Sequence, residues 1–434
     1  MTITARHGFI WTIMVLLAQG CLLGGGSPEA FSGSDSVVLS LDSIPVEVMH
    51  RNPDLQTARW TIESARTRKL QAGRLSNPSL QTIFQDNTRN SERAIGFGLQ
   101  QAFPVTARLK LEKSVAHHQI LEAEAEVASV VRQRTESALE LGVHLLGNQL
   151  RQVVLDDQIQ LADELTSFLK VQSRQGEISP LDATHASLLA GELRQKLRPL
   201  RLRSRLLKSE LRGLLGLTPA VGLVMDGTLS PMGLPTASEI HFEKLPEMRL
   251  LHRKIHTAEE TLKLERANRV DDFKLGLVHQ WSREEDVPIG IEAERQYGLQ
   301  LSVPLPFWNR NEGRIGEVLS ELSRLESSVE ALKIAILNQV DAAYTAMVEH
   351  LAAYREITEQ LIPGRLAYQE ELEASFRQGL ISFEALIKAR ERMLDLRFSE
   401  AEALESFHAS RVKYLSASGA FSNTQLNENE KKTE

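Results

Sequence analysis

Phe97-Gly-Leu-Gln-Gln-Ala-Phe-Pro104 returns 200 positions later as Tyr297-Gly-Leu-Gln-Leu-Ser-Val-Pro304. In the first octapeptide and the residues before it, Ile95, Phe97, Leu99 and Phe103 alternate with Gly96, Gly98, Gln100 and Ala102. In the second, Tyr297, Leu299, Leu301 and Val303 alternate with Gly298, Gln300 and Ser302. A period of two is that of a strand with one apolar face. Each strand has a partner candidate just upstream: Leu80–Gln85 across the polar loop 86–93, and Phe273, Leu275, Leu277 and Trp281 across the polar loop 282–294. Two hairpins are therefore expected, at about 79–103 and 272–303.

The repetition reaches further out. Arg174-Gln-Gly-Glu-Ile-Ser179 matches Arg377-Gln-Gly-Leu-Ile-Ser382 at an offset of 203, and Leu55–Leu80 loosely matches Leu250–Leu275 at 195. The order is the same in both halves, so one unit of roughly 200 residues is written twice, far longer than a solenoid repeat. The first repeat is expected over 37–216 and the second over 247–418, joined by a Gly- and Pro-rich irregular linker over 217–246.

After Pro104 the helical period runs unbroken to the Gln175-Gly176 turn, which predicts a helix on the order of 100 Å long. A second helix returns from Pro180 to about Leu215, with a kink expected at Pro199. The same plan follows from Asn309, with one interruption at Pro363-Gly364, a turn at Gly379 and a returning helix over 383–415. These are two long helical hairpins, 107–216 and 309–416. Asn52-Pro53-Asp54 is a capped helix start inside the helical pattern of 42–73. Residues 419–434 are polar and expected to be disordered.

The formal charge of −7 argues against a nucleic-acid partner. The one basic cluster, 194–208, carries leucines at helical spacing and no aromatic residue; it reads as a solvated helix face, with a phosphate or lipid-headgroup contact as the alternative. Arg6 and His7 precede the apolar run 9–18, too short to span a bilayer, so 1–26 reads as an export signal. Leu17-Ala-Gln-Gly-Cys21 resembles a lipoprotein processing site, which would acylate Cys21; cleavage within 24–30 would discard it. Either way no disulfide is expected.

Nothing in the sequence points to catalysis or a cofactor. His252 and His256 are spaced i, i+4 without a following Glu or a third ligand, so they read as helix-surface residues and not as a metal site. His117 and His118 fall on different helix faces and read as solvated.

Strands of about nine residues can cross a tilted bilayer span, but backbone groups in lipid must all be paired, so spanning strands close into a barrel. Four strands cannot enclose a pore, and several copies must share one. On these features, together with Asn77-Pro78 and Val303-Pro-Leu-Pro-Phe-Trp-Asn-Arg-Asn-Glu-Gly-Arg314, the chain resembles the TolC-type outer-membrane efflux channel family, most closely its CzcC and CusC heavy-metal branch. The resemblance implies a mainly α, internally duplicated fold: a long α-helical barrel plus a twelve-stranded transmembrane β-barrel shared by a homotrimer in the outer membrane of a Gram-negative bacterium. It implies an exit duct of a tripartite efflux system, with a periplasmic adaptor protein and an inner-membrane pump of RND type as partners, outer-membrane lipid as surroundings, and metal cations or small toxic compounds as cargo. Irregular segments near 216–246 and the termini would belt the tube.

In that family the helix–turn–helix tips meet the adaptor. Carried over, the tips are Arg174, Gln175, Gly176, Glu177 and Ser179 in the first half, and Arg377, Gln378, Gly379, Leu380 and Ser382 in the second. Family members often place gating carboxylates six and sometimes nine residues after the glycine. Asp182 holds the six position of the first half; the second half has Ala385 and Lys388 there, with Glu384 displaced by one. Two other readings stay open: a type I protein-secretion duct, and a periplasmic coiled-coil structural or adaptor protein, which would leave the duplicated strands unexplained.

Overall fold

The computed structural model describes residues 36–87, 92–176, 178–235, 240–286, 290–378 and 380–420. The segment 1–26 read as an export signal, with Cys21, the tip residues Glu177 and Gly379, and the tail beyond 420 lie outside the described residues, as does the side chain of Arg377.

Four strands form one antiparallel sheet in the order β2–β3–β5–β6: β2 (Ser79–Asn87), β3 (Glu92–Phe103), β5 (Phe273–Asp286) and β6 (Gly290–Ser302). The two hairpins meet through β3 and β5, with Leu99 opposite Leu277 and Phe103 opposite Phe273. The strands run further than expected. The polar stretches read as loops, 86–93 and 282–294, are largely paired, Ser282 with Glu294 and Asp86 with Arg93. An antiparallel ladder needs only backbone donors and acceptors, so polar side chains do not end it.

Helices continue the strand order. α2 (Pro53–Gln71) feeds β2, and β3 feeds α3 (Arg108–Arg174); α5 (Pro246–Ala267) feeds β5, and β6 feeds α6 (Glu312–Glu356). Next to the sheet these helices pack side by side as α2–α3–α5–α6. Further away, α4 (Pro180–Leu214) returns along α3, and α8 (Phe383–Ser418) returns between α3 and the pair α6 and α7 (Ile362–Arg377), giving the order α4–α3–α8–α6/α7. In every tier, first-half elements stand at one edge and second-half elements at the other. Among the described residues no helix is long and apolar enough to cross a membrane.

α4 runs through Pro199 as one continuous helix. One helix irregularity differs from expectation. In the second half the interruption precedes Pro363: a π-helical turn spans Ile357–Leu361. Proline has no N–H, and its ring crowds the carbonyl four residues back, so widening the preceding turn relieves the clash without ending the helix.

The stretch read as an irregular linker contains β4 (Gly222–Met225), which pairs in parallel with β1 (Ser36–Leu39). This small sheet and α1 (Ile44–Arg51) cover the middle of α3, where Leu39, Ile44, Val48, Leu139, Val143, Leu223 and Met225 share a core with Leu211 and Val412. Asn52 joins α1 to α2. Its Oδ1 accepts from the Leu55 amide at 3.0 Å, capping α2, and its Nδ2 donates to Leu214 O at 2.7 Å, at the far end of α4.

Candidate functional site

At the far end of the helices the two tips lie side by side. α3 closes with the Gln175 amide donating to Val171 O at 3.2 Å, and Gly176 follows at φ 80°. An L side chain is strained at that angle, whereas glycine is not. The chain turns back at Ser179, whose Oγ accepts from the Leu181 amide at 3.2 Å, with Pro180 in the first turn of α4. In the second tip the Leu380 amide reaches Ser375 O at 2.9 Å, and Ser382 Oγ accepts from the Ala385 amide at 3.3 Å. Both returning helices thus start on a serine cap. Beneath the tips, Phe376 and Phe383 pack at 6.0 Å between ring centroids, in a core shared with Leu169, Ala183 and Ala186.

Asp182 sits in the first turn of α4, half-exposed. One turn on, His185 packs edge-on against Phe383 at 5.9 Å, which brings the first tip to the second. Glu384 and Lys388 do not act as separate charges: Lys388 Nζ lies 2.6 Å from Glu384 Oε1. That hydrogen bond, and then the ammonium charge, hold the Glu384 carboxyl below the usual carboxylate range, with His185 adding a smaller contribution. In one protomer the second tip therefore offers a neutral pair where the first offers a carboxylate. His185 was not singled out in the sequence; its place three residues after Asp182, on the same helix face, was the available signal.

The opposite end of the molecule is the sheet. Register places Leu80, Leu99, Leu277 and Leu299 in one row, and Phe84, Ile95, Trp281 and Arg295 two rows on, with Thr82, Phe97, His279 and Tyr297 between them. These side chains share a face. It is exposed in the single chain: Leu80 is 70% accessible, Tyr297 78% and Leu299 78%. The His279 ring stacks on Tyr297 at 4.5 Å. The other face carries Gly96, Gly98, Gly276 and Gly298 among glutamines. Just below β6, Phe307 and Trp308 are exposed, Trp308 by 96%.

Between the two ends, charged groups tie the halves together. Glu405 of α8 is buried and accepts from Arg151 and from His144 Nδ1 (2.7 Å), both on α3. Arg132 of α3 donates to Glu247 of α5 and to Ser416 of α8, each at 2.7 Å. Arg108, at the start of α3, holds Asp272 ahead of β5.

His252 and His256 lie on α5, and among the described residues no three His, Cys, Asp or Glu side chains converge on a metal position. His118 corrects the solvated reading: it packs against His256 at 6.3 Å in the α3–α5 seam. Burial pushes its imidazole below the ordinary value, against the pull of Glu260. The basic cluster is a largely exposed helix face, on which Arg194 pairs with Asp163 and Arg203 lies 3.8 Å from Glu405.

No protein-family model and no curated protein sequence matches the chain. Solved structures do. The outer membrane protein VceC from Vibrio cholerae superposes with a TM-score of 0.68 at 14% identity, covering 87% of this chain and 96% of that one. The CmeC outer membrane channel of Campylobacter jejuni gives 0.70 at 12%, covering 94% of both chains. CusC, described in terms of folding and transmembrane channel formation, gives 0.65 at 14%, covering 90% and 95%. Over nearly its whole described length, the chain has the fold that these outer-membrane channel proteins share.

Proposed function

We propose that the chain is a TolC-type exit duct of a tripartite efflux system, a homotrimer seated in the outer membrane of a Gram-negative bacterium. The observation that carries this reading is the four-stranded sheet with an exposed apolar face and two edges unpaired among the described residues, joined directly to helices as long as the 67-residue α3. In water such a face and such edges would promote aggregation. In lipid the face is matched, and the edges vanish when β2 of one copy pairs with β6 of the next. From Phe273 to Trp281 the apolar face covers eight residue steps, ~27 Å along the strand. At a tilt of ~40° this is ~20 Å along the membrane normal, close to the ~25 Å band of outer-membrane barrels. Phe307 and Trp308 suit the lower border, where aromatic side chains meet headgroups.

Three copies would supply twelve strands, with glycines and glutamines lining the lumen. The tips would face a periplasmic adaptor coupled to an inner-membrane pump, with Gly176 and the serine caps shaping the contact. The duct performs no chemistry; metal cations or small toxic compounds are passed to it by the pump. Asp182 from three copies would place a ring of carboxylates near the mouth, favouring cations.

A protein-secretion duct would share this architecture and differ in its partners. A periplasmic coiled-coil protein is disfavoured by the apolar sheet face. The test is oligomeric mass together with single-channel conductance of the detergent-extracted protein in planar bilayers. A trimer with discrete conductance steps is expected; a monomer or dimer without conductance would refute the duct.

A further inference from the structure

The helical layer ends in two lateral edges, α4 on one side and α6 with α7 on the other, and these edges carry opposite charge. On α4, Arg194, Arg198, Arg201, Arg205, Lys208 and Arg212 are spaced four, three, four, three, four, which stacks them into one stripe on a 3.6-residue helix. The stripe lies on the flank turned away from α8. Arg203, on the opposite flank, reaches Glu405 of α8, whereas Arg194 and Arg201 reach back to Asp163 and Asp156 of α3, at 2.5 and 3.9 Å. Among the described residues, Arg198, Arg205 and Lys208 have no carboxylate within ion-pair distance. Like charges one turn apart repel, so the stripe calls for counter-charge from outside the protomer.

The other edge supplies a net excess of that charge at the same height, with the exposed Arg355 among its carboxylates. Asp341, Glu349 and Glu356 of α6, and Glu359 of the π turn, are exposed and without an ion pair among the described residues. Leu211 of α4 shares a core with Val412 of α8, and Ala343 of α6 shares one with Tyr414, two residues on. Lower down, Leu193 packs with Leu394, whose neighbour Asp395 shares a cleft with Gln360 and Arg365. The stripe from Arg194 to Arg212 therefore spans the heights of about residues 343–365. Exposed apolar side chains accompany both edges, Leu202 and Leu206 on α4, Leu361 and Leu366 on the other.

We propose that the basic edge of α4 in one copy docks on the acidic edge of α6 and the π turn in the next. This is a heterologous, head-to-tail contact that closes a ring. The proposal rests on the shared-barrel reading and assigns its helical interface. Opposite charges then steer copies into one handedness of assembly, while two basic or two acidic edges repel.

The test is the dissociation half-time of the full-length oligomer in detergent, at fixed temperature and at low and high salt. It compares wild type, Arg198→Glu with Arg205→Glu, Glu349→Arg with Glu356→Arg, and all four together. Circular dichroism checks that every variant remains helical. Each single-edge reversal is expected to shorten the half-time at least tenfold and to remove its salt dependence, and the fourfold variant is expected to restore both. Equal half-times throughout, or a fourfold variant no better than its parents, would overturn the edge pairing and leave the trimeric duct standing. A wild-type protein that is monomeric and without conductance would overturn the duct and the edge pairing together.

Discussion

Glu405→Ala removes the carboxylate that α8 places against α3. Its side chain is 6% exposed and that of Arg151 12%, so the variant leaves a nearly buried guanidinium without its counter-charge. Stranding one partner of a buried pair costs about 3–5 kcal/mol. Arg203 adds little to this, being 53% exposed and 3.8 Å away. Glu405→Gln keeps an acceptor for Arg151 and should lose about 1.5–3 kcal/mol, the range for hydrogen bonds to charged groups. Replacing Glu405 and Arg151 together by methionine removes both charges, and most of the loss should return. Gly147 belongs to the same site: a Cβ there would lie 2.2 Å from Glu405 Oε2. Gly147→Ala gains about 1 kcal/mol of helix propensity but overpacks a filled site at about 1–3 kcal/mol, so it should be neutral to destabilising despite its position inside a helix. The assay is urea unfolding of the detergent-solubilised protein followed by far-UV circular dichroism. A Glu405→Ala variant within about 1 kcal/mol of wild type, or a double methionine variant worse than either single change, would refute the reasoning.

Other expectations follow from the tips, the caps and a buried histidine. Gly176→Val should destabilise the first tip by about 1–2 kcal/mol, because φ 80° strains an L residue, while Gly176→Asn should be milder; local hydrogen exchange at the tip reads the difference. In the proposed duct, Lys388→Ala frees Glu384 and should raise the cation-to-anion permeability ratio, measured from reversal potentials in a salt gradient. Asn52→Ala loses a helix cap and a bond to Leu214 O, about 2–3 kcal/mol by urea unfolding. Burial, aided by nearby Arg411, lowers the pKa of His408, and the Ser230 carbonyl opposes this in part. The unfolded chain therefore binds the proton more readily. Stability should fall as pH drops below about 6.5 and level off below the folded pKa; His408→Gln should flatten that slope.

Local periodicity carried most of what was readable in the sequence. Ile95, Phe97 and Leu99, alternating with small residues, fixed both the strand and its apolar face, and each tip announced itself by a glycine followed by serine and a fresh helical run. What stayed hidden depends on distant pairings. β1 and β4 are four residues each and meet across 186 positions, so neither has a pattern of its own. Glu405 reads as one of many helix-surface carboxylates until Gly147 and Arg151, more than 250 positions away, give it a buried seat. The Lys388–Glu384 pair was present as an i, i+4 spacing, but whether it forms depends on the free end of the helix that carries it. The strands outrun their apolar stretches because polar side chains mark solvent, not the end of a ladder.

The meeting of β3 with β5 has a bearing on how the chain reaches this state. Their partners Phe103 and Phe273 are 170 residues apart. Closing a flexible loop of that length costs about 4.5 kcal/mol in chain entropy, before any side chain touches another. The α3–α4 hairpin reduces that cost, because it folds on local contacts and returns Leu214 to the side of Asn52. During synthesis the β2–β3 hairpin nevertheless precedes its neighbour by the time needed to deliver the rest of the loop, and it waits with an open edge. A chain stopped within the segment after α4 would keep that edge open, and strand-to-strand association between such fragments is the failure that this topology invites.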